Sequence, residues 1–431
     1  MNGSIPVIDV SLWSSDCNKQ TEAHMSIAKD WNEAMKAYGC AVIIGHGIPE
    51  RVFDTINAES QDFFSKGLDT KQSYNHGIYG NPMGGYTAPG REIVALSCED
   101  DTSDRAKPKF DPVENFVFTT HPSKFKSPCG ELSPIESASA YYESMESVLR
   151  NIHSLSCCAL GISDLDYFQK FYDATLPGNS QLGINGNALR LAHYPPIDPI
   201  HLHASASDAA GFDDKVRYGA HTDYQGFTIL RPDKSDWHIK HVCISGASAA
   251  TTSTSQSTTS GAQVEGITAS LPVQCGGLEV FCRQTGKWIQ VCIPTHLNAL
   301  VVNAGDLIQR WTNDIWHSPL HRVVTSRAAT GEPPHQLITP TTSAITTTST
   351  TPSTSSSMQQ QGDDSLASTN ASISLEAAAS QLSRQAIVFF TGPLEDCVIE
   401  GLDPQEMRNV DVTGMRERYP PMRAGDHLLM K

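Results

Sequence analysis

The sequence predicts a mainly β domain, a sandwich or jelly roll, behind an N-terminal region of helices and short strands. Three observations carry this. From Leu189 onward, short β-rich runs follow one another with turn residues between them and no helices intervening. Before that point, apolar residues recur at helical spacing. Finally, polar low-complexity segments interrupt the β region without dividing it, because the ordered sequence on either side belongs together.

In chain order, Ile5–Asp9 and Cys40–Ile44 are predicted strands, the second closed by the turn His46-Gly47-Ile48-Pro49. Between them, the spacing predicts a helix over Thr21–Tyr38, with Ala23, Ile27, Trp31, Ala34, Met35 and Tyr38 near one face. Ser137–Ala159 predicts a second long helix. The β region then runs through LRLAHY, RYGAHTDY, GFTIL, GLEVF, KWIQVCI, ALVVNA, HRVVT and AIVFF, with turns at 284–287 and 303–306. Residues 1–160 therefore form an N-terminal region and 184–395 the core, with 396–431 packing on it. Insertions at 198–215, 245–270 and 326–383, rich in Ser, Thr and Ala, bury too little apolar surface to offset backbone ordering and are expected to be flexible loops.

Of the 431 residues, 39% are hydrophobic and 18% charged, which permits a large core and excludes wholesale disorder. The 31 Lys and Arg against 47 Asp and Glu leave a net charge of -16, which argues against a nucleic-acid partner. The 11 cysteines are scattered without a C-x-x-C, the usage of reduced thiols in a cytoplasmic protein. No run approaches the roughly 18 apolar residues of a membrane span, and the first residues lack the features of a signal peptide. A soluble cytoplasmic protein with no membrane partner is expected.

The chemistry centres on His221-Thr222-Asp223 in a strand-like stretch. Residues at i and i+2 of a strand share a face, so one imidazole and one carboxylate can meet a single ion. A third ligand must come from elsewhere, and His321 begins a later strand in Ser318-Pro-Leu-His-Arg-Val323. Two imidazoles and one carboxylate form the facial triad of non-haem Fe(II) oxygenases, whereas a structural zinc site would be closed by a fourth ligand. In a chain with 16 histidines, about one His-x-Asp arises by chance. The motif alone therefore leaves an ordinary histidine pair open.

The residues around it are more specific. Tyr218–Leu230, Gly276–Phe281, Val302–Asp306, Arg310–Asn313 and Ser318–Val323 occur in order, behind Ile5–Asp9, Tyr38–Pro49, Gly85-Tyr86 and Asp111–Phe116 and ahead of Arg418–Leu429. This series resembles the isopenicillin N synthase-like family of Fe(II)/2-oxoglutarate-dependent dioxygenases over nearly the whole chain apart from the insertions. The resemblance implies a double-stranded β-helix (jelly-roll) core flanked by N-terminal helices. It implies His221, Asp223 and His321 as iron ligands, with O2 and 2-oxoglutarate as co-substrates and ascorbate as reductant. It also implies a small-molecule substrate, hydroxylated as succinate and CO2 are released, and a monomeric enzyme.

Arg384 matches the family arginine that holds the distal carboxylate of 2-oxoglutarate, a role suited to the guanidinium fork. Tyr194 matches the tyrosine that assists it. Two positions depart from the pattern: Ala386 replaces the serine of the family's Arg-x-Ser, and Ala192 replaces an asparagine. The missing serine bond is worth about 1 kcal/mol and weakens the 2-oxoglutarate assignment without overturning it; two alternatives are carried. One is an iron oxidase of the same family that needs no 2-oxoglutarate; the other is a non-catalytic binding or sensor protein.

Other features read as structural. His317 lies four residues before His321, but Pro319 between them breaks a helical zinc pair. His46 is a turn residue, and Gly276-Gly277 precedes a strand and so is no phosphate cradle. Phe281, Trp311 and Phe390 are expected in core packing.

Overall fold

The structure, a computed structural model, describes residues 4–13, 21–76, 84–91, 111, 113–175, 186–195, 216–232, 277–293, 298–324, 383–405, 407–410 and 418–430. The three predicted insertions lie outside the described residues, apart from Ser383.

The larger sheet has eight strands in the order β1 (Val7–Asp9), β2 (Cys40–Ile44), β10 (Ala299–Ala304), β7 (Phe227–Pro232), β12 (Arg384–Phe390), β5 (Ala188–Tyr194), β4 (Glu114–Phe118) and β3 (Gly84–Thr87). The smaller sheet has four, β6 (Val216–His221), β11 (His321–Val324), β8 (Gly277–Cys282) and β9 (Lys287–Gln290). Pairing in both is antiparallel except for β1 with β2. A short ladder joins β13 (Val398–Ile399) to β14 (Met422–Arg423). The helices are α1 (Glu22–Ala37), α2 (Glu50–Ser65), α3 (Leu68–Gln72), α4 (Ala138–Leu160), α5 (Asp306–Trp311) and α6 (Ala424–Leu429).

The two sheets face each other as the jelly-roll core. Val42 and Val301 of the large sheet pack with Val280 and Ile289 of the small one, and Ala192, Tyr194 and Ala386 pack with Tyr218 and Val323. The other face of the large sheet carries α1, α2 and α4 through a single apolar cluster that includes Trp31, Phe53, Leu149, Phe227 and Phe389. Strand β10 is covered on both sides, which is why ALVVNA is buried at every position and shows no alternation. The N-terminal strands are part of the same sheet: β1 and β2 extend it at one edge, β3 and β4 at the other.

Helix α1 begins one residue after its predicted start because Thr21 is its N-cap. The hydroxyl accepts from the His24 N–H at 3.3 Å, and His24 Nδ1 accepts from the Thr21 N–H at 3.2 Å. The helix stops at Gly39, whose φ of 64° turns the chain into β2. A Cβ there would sit 2.1 Å from the His317 carbonyl oxygen, so the turn is packed against the segment that leads into His321. Helix α4 runs one residue beyond its predicted end to a left-handed Gly161.

Helices α2, α3 and α5 and strands β3 and β4 were not read from the sequence. Helix α2 follows Pro49 with no side-chain cap to announce it. Strands β3 and β4 are only four and five residues long, and β3 contains two glycines. Among the described residues no helix is long and apolar enough to cross a membrane. The seven cysteines described are all free thiols.

Candidate functional site

His221 ends β6 and His321 begins β11, and the two are Cα partners across the antiparallel ladder. The pairing therefore brings two imidazoles that are far apart in sequence to the same end of the small sheet. Their ring centroids lie 4.2 Å apart. His321 is also the partner of Val280 on β8, so the strand that carries it is held on both sides.

Asp223 arrives by a different route from the one expected. The strand ends at His221, so Asp223 lies in the following turn and does not share a face with His221 through strand alternation. The turn is held by the N-terminus of α5, whose first backbone donors need acceptors outside the helix. The Asp306 N–H donates to the Asp223 carbonyl at 2.7 Å and the Leu307 N–H to the Gln225 carbonyl at 3.0 Å. Gly226 fits beneath, where a Cβ would lie 2.4 Å from the Tyr172 hydroxyl.

The carboxylate is divided between two tasks. Its Oδ2 accepts from Thr228 Oγ1 at 2.6 Å and from Asn303 Nδ2 at 2.7 Å. Its Oδ1 stands 3.7 Å from Nε2 of both His221 and His321. Each imidazole is divided likewise: His221 Nδ1 donates to the Gly219 carbonyl at 2.8 Å, and His321 Nδ1 donates to the Pro319 carbonyl at 3.0 Å. A carbonyl oxygen can only accept, so the ring proton lies on Nδ1 and the Nε2 lone pair is free for an ion.

The electrostatics agree. Burial, with help from the neighbouring His321, pushes His221 down to about 3 and keeps it neutral. Burial pushes the Asp223 carboxyl up, but the two imidazoles and the bonds from Thr228 and Asn303 outweigh it and hold it below its ordinary value. Asp223 is 6% and His321 9% exposed. One ligand atom from each of the three residues lies within 4.8 Å of the others. Two neutral nitrogens and one anionic oxygen, each oriented by a second bond, fit a divalent iron ion held on one face.

Arg384 begins β12, where its Cα partner on β5 is Tyr194. Its guanidinium lies 5.7 Å from the Tyr194 ring centroid, and that of Arg217 on β6 lies 5.8 Å from the same centroid. Arg217, which sequence reasoning missed, is buried, and burial together with the Arg384 charge lowers it to about 10. The two departures from the family pattern prove to be one. Ala386 and Ala192 are direct cross-strand partners, packed with Tyr194 and Tyr218 in an apolar cluster. The lost serine and asparagine thus leave no orphaned polar partner in each other's place.

Beside the triad opens a cavity of about 420 Å³. His221 and Asp223 line it together with Arg190, Tyr218, Phe390 and Leu428. Phe390, expected in core packing, is therefore a wall residue, because it ends β12 at the cavity's rim. Leu428 comes from α6, which the His427 Nε2 contact to the Tyr224 carbonyl at 2.9 Å ties to the turn that carries Asp223. Trp311 is fully buried as expected, while Phe281 is only partly buried and packs on Trp288. His46 caps its own turn, accepting from the Ile48 N–H at 3.2 Å. His317 lies at the turn against Gly39, outside the triad.

Comparison with known proteins agrees with this geometry. The family profile for the N-terminal region of non-haem dioxygenases in morphine synthesis matches residues 5–130, and that for the 2OG-Fe(II) oxygenase superfamily matches residues 249–332. A 2-oxoglutarate-Fe(II) type oxidoreductase, ppzC, of Metarhizium rileyi is 25% identical over 329 residues, 74% of this chain and 72% of the relative. These matches support the isopenicillin N synthase-like family of 2-oxoglutarate/Fe(II) oxygenases. The chain is an oxidoreductase dependent on Fe(II) and 2-oxoglutarate.

This oxygenase also resembles gibberellin 2-beta-dioxygenase 4 of Arabidopsis thaliana, with 25% identity over 321 residues, 74% of this chain and 75% of the relative. Its fold matches a full-length Neurospora crassa protein solved in complex with alpha-KG, at a TM-score of 0.59 and 20% identity, covering 100% of this chain and 96% of the other. The rice dioxygenase for auxin oxidation matches at a TM-score of 0.53 and 18% identity, covering 99% and 94%. The superfamily profile spans His321 but begins after His221 and Asp223. The register of β6 with β11 sets His221 against His321, and the turn after β6 adds Asp223.

Proposed function

We propose that this oxygenase hydroxylates a small organic molecule, with His221, Asp223 and His321 as its iron ligands. The observation that carries the reading is the division of labour at the triad. Each ligand has one atom committed to the protein and another turned toward the same point. Iron(II), 2-oxoglutarate and O2, when bound, supply the chemistry that hydroxylates a C–H bond and releases succinate and CO2.

The chain's own residues supply geometry. Thr228 and Asn303 stop the Asp223 carboxylate from rotating, so one oxygen stays available. Gly219 and Pro319 carbonyls fix both ring tautomers. Arg384, stacked near Tyr194, holds the distal carboxylate of 2-oxoglutarate through charge-assisted hydrogen bonds. The cavity, with Phe390 and Leu428 in its walls, takes the substrate and keeps bulk water from the reacting C–H. Residues 1–160 act as part of the same unit as 184–395, since their strands complete the core sheet. The free thiols among the described cysteines support a reducing, cytoplasmic setting. The acidic charge of -16 supports a monomeric enzyme with no nucleic-acid partner.

The test is succinate release from 2-oxoglutarate with Fe(II) and ascorbate, screened against a metabolite library. Substrate-stimulated succinate is expected from the parent and not from His221→Ala or Asp223→Ala. Equal turnover by either variant would show that the ligands lie elsewhere.

A further inference from the structure

We propose that Arg217 is a second arginine of the 2-oxoglutarate site, binding the same distal carboxylate as Arg384 and standing in for the donors missing at Ala386 and Ala192. The inference rests on the function proposed above and deepens it at the co-substrate end of the site. A bulge in β6 singles Arg217 out. Val323 of β11 pairs with Tyr218, but Val324, the very next residue, pairs with Val216. Arg217 is thus the extra residue of β6, without a Cα partner on β11. A bulge of this kind re-aims a side chain out of the strand's regular alternation.

The guanidinium bridges the two sheets. Its Nη2 donates to the carbonyl of Pro195, just beyond β5, and its Cζ lies 5.8 Å from the Tyr194 ring centroid. The Arg384 Cζ lies 5.7 Å from the same centroid. Two cations, one from each sheet, therefore share one aromatic ring. That ring packs with Ala386 and Ala192, the pair that lacks the serine and the asparagine.

Two guanidiniums brought together away from water call for an anion. Arg217 is 5% exposed, and its Nε is buried with no hydrogen-bond partner. Burial, with the Arg384 charge added, lowers Arg217 to about 10, against a smaller upward effect of Tyr194. No carboxylate among the described residues offsets the charge. At neutral pH the group is still a cation, so an anion that reaches it relieves both its burial and its repulsion from Arg384. A carboxylate has the matching shape, because each guanidinium presents parallel N–H donors. The occupant follows from Arg384: the distal carboxylate of 2-oxoglutarate finds no neutral donor at positions 386 and 192, and Arg217 supplies charge-assisted ones from the opposite sheet.

The test compares parent, Arg217→Gln, Arg384→Gln and the double variant as anaerobic Fe(II) proteins, with circular dichroism to confirm folding. The probes are 2-oxoglutarate and 2-oxopentanoate, which has the same chelating end and chain length but a methyl in place of the distal carboxylate. Binding is read from the charge-transfer band and, independently, from the shift in melting temperature. The parent is expected to prefer 2-oxoglutarate about a hundredfold or more, each single variant about tenfold, and the double variant not at all. Iron affinity and the binding of 2-oxopentanoate should stay at parental values throughout, which a merely structural role for Arg217 would not allow. Arg217→Gln keeping the full preference would overturn the proposal while leaving the Arg384 reading intact. Arg384→Gln losing the whole preference would overturn it too, a measurement that stands even if Arg217→Gln does not fold. A parent that forms no band, or binds both acids alike, would overturn the proposal together with the 2-oxoglutarate site on which it rests.

Discussion

The two ends of the site are built on opposite principles. At the triad, every polar atom that does not face the ion is tied to the protein. Two ring Nδ1 atoms are tied to carbonyls, and one carboxylate oxygen is tied to a hydroxyl and an amide. At Arg384 the surroundings are mostly apolar: Ala192 faces Ala386, with tyrosine rings and Val323 around them, and the Arg217 guanidinium shares the Tyr194 ring. The first end is a rigid polar cage in which many bonds share the work. The second is an apolar recess in which affinity depends on very few groups, so single changes should act differently at the two ends.

The largest effect is expected at the cage. Asp223→Ala removes the anionic member of the proposed triad and should abolish both iron retention and succinate formation, measured by metal analysis and turnover. Asn303→Ala leaves the ligand but frees its carboxylate to rotate. It should weaken iron binding about 10- to 100-fold, measured by competition with a chelator, with the fold intact.

At the recess, Arg384→Gln should leave iron binding at the parental value and raise the 2-oxoglutarate concentration needed for half-saturation by about tenfold or more. The smallest effect, and the sharpest test of the contrast, is a gain. Ala386→Ser returns one hydroxyl and should tighten 2-oxoglutarate binding about fivefold, with no change in iron affinity. An unchanged affinity would mean that the hydroxyl does not reach the co-substrate across the Ala192–Ala386 pair.

How much of this was legible depends on the direction in which information runs. His221, Asp223, His321 and Arg384 could be read because motif spacing runs along the chain. The strand ALVVNA could be read because burial on both faces leaves an unbroken apolar run. Thr228 and Asn303 could not be assigned, because their task depends on β7 and β10 lying side by side, which no periodicity reveals. The one available signal was a polar residue inside an otherwise apolar strand. Asp223 does reach His221 and His321, but by a route other than the one expected, since the turn that carries it is shaped by the backbone of α5, not by strand alternation. Arg190 looked like any arginine at alternating spacing until the pairing of β5 with β4 set it beside Asn115 and at the cavity wall.

The most direct measurement is an anaerobic titration of the parent chain with Fe(II) and then with 2-oxoglutarate, following the charge-transfer band. The account predicts one iron per chain, a band that saturates with 2-oxoglutarate, and loss of both in the His321→Ala protein. A His321→Ala protein that binds iron and develops the band as the parent does would contradict it.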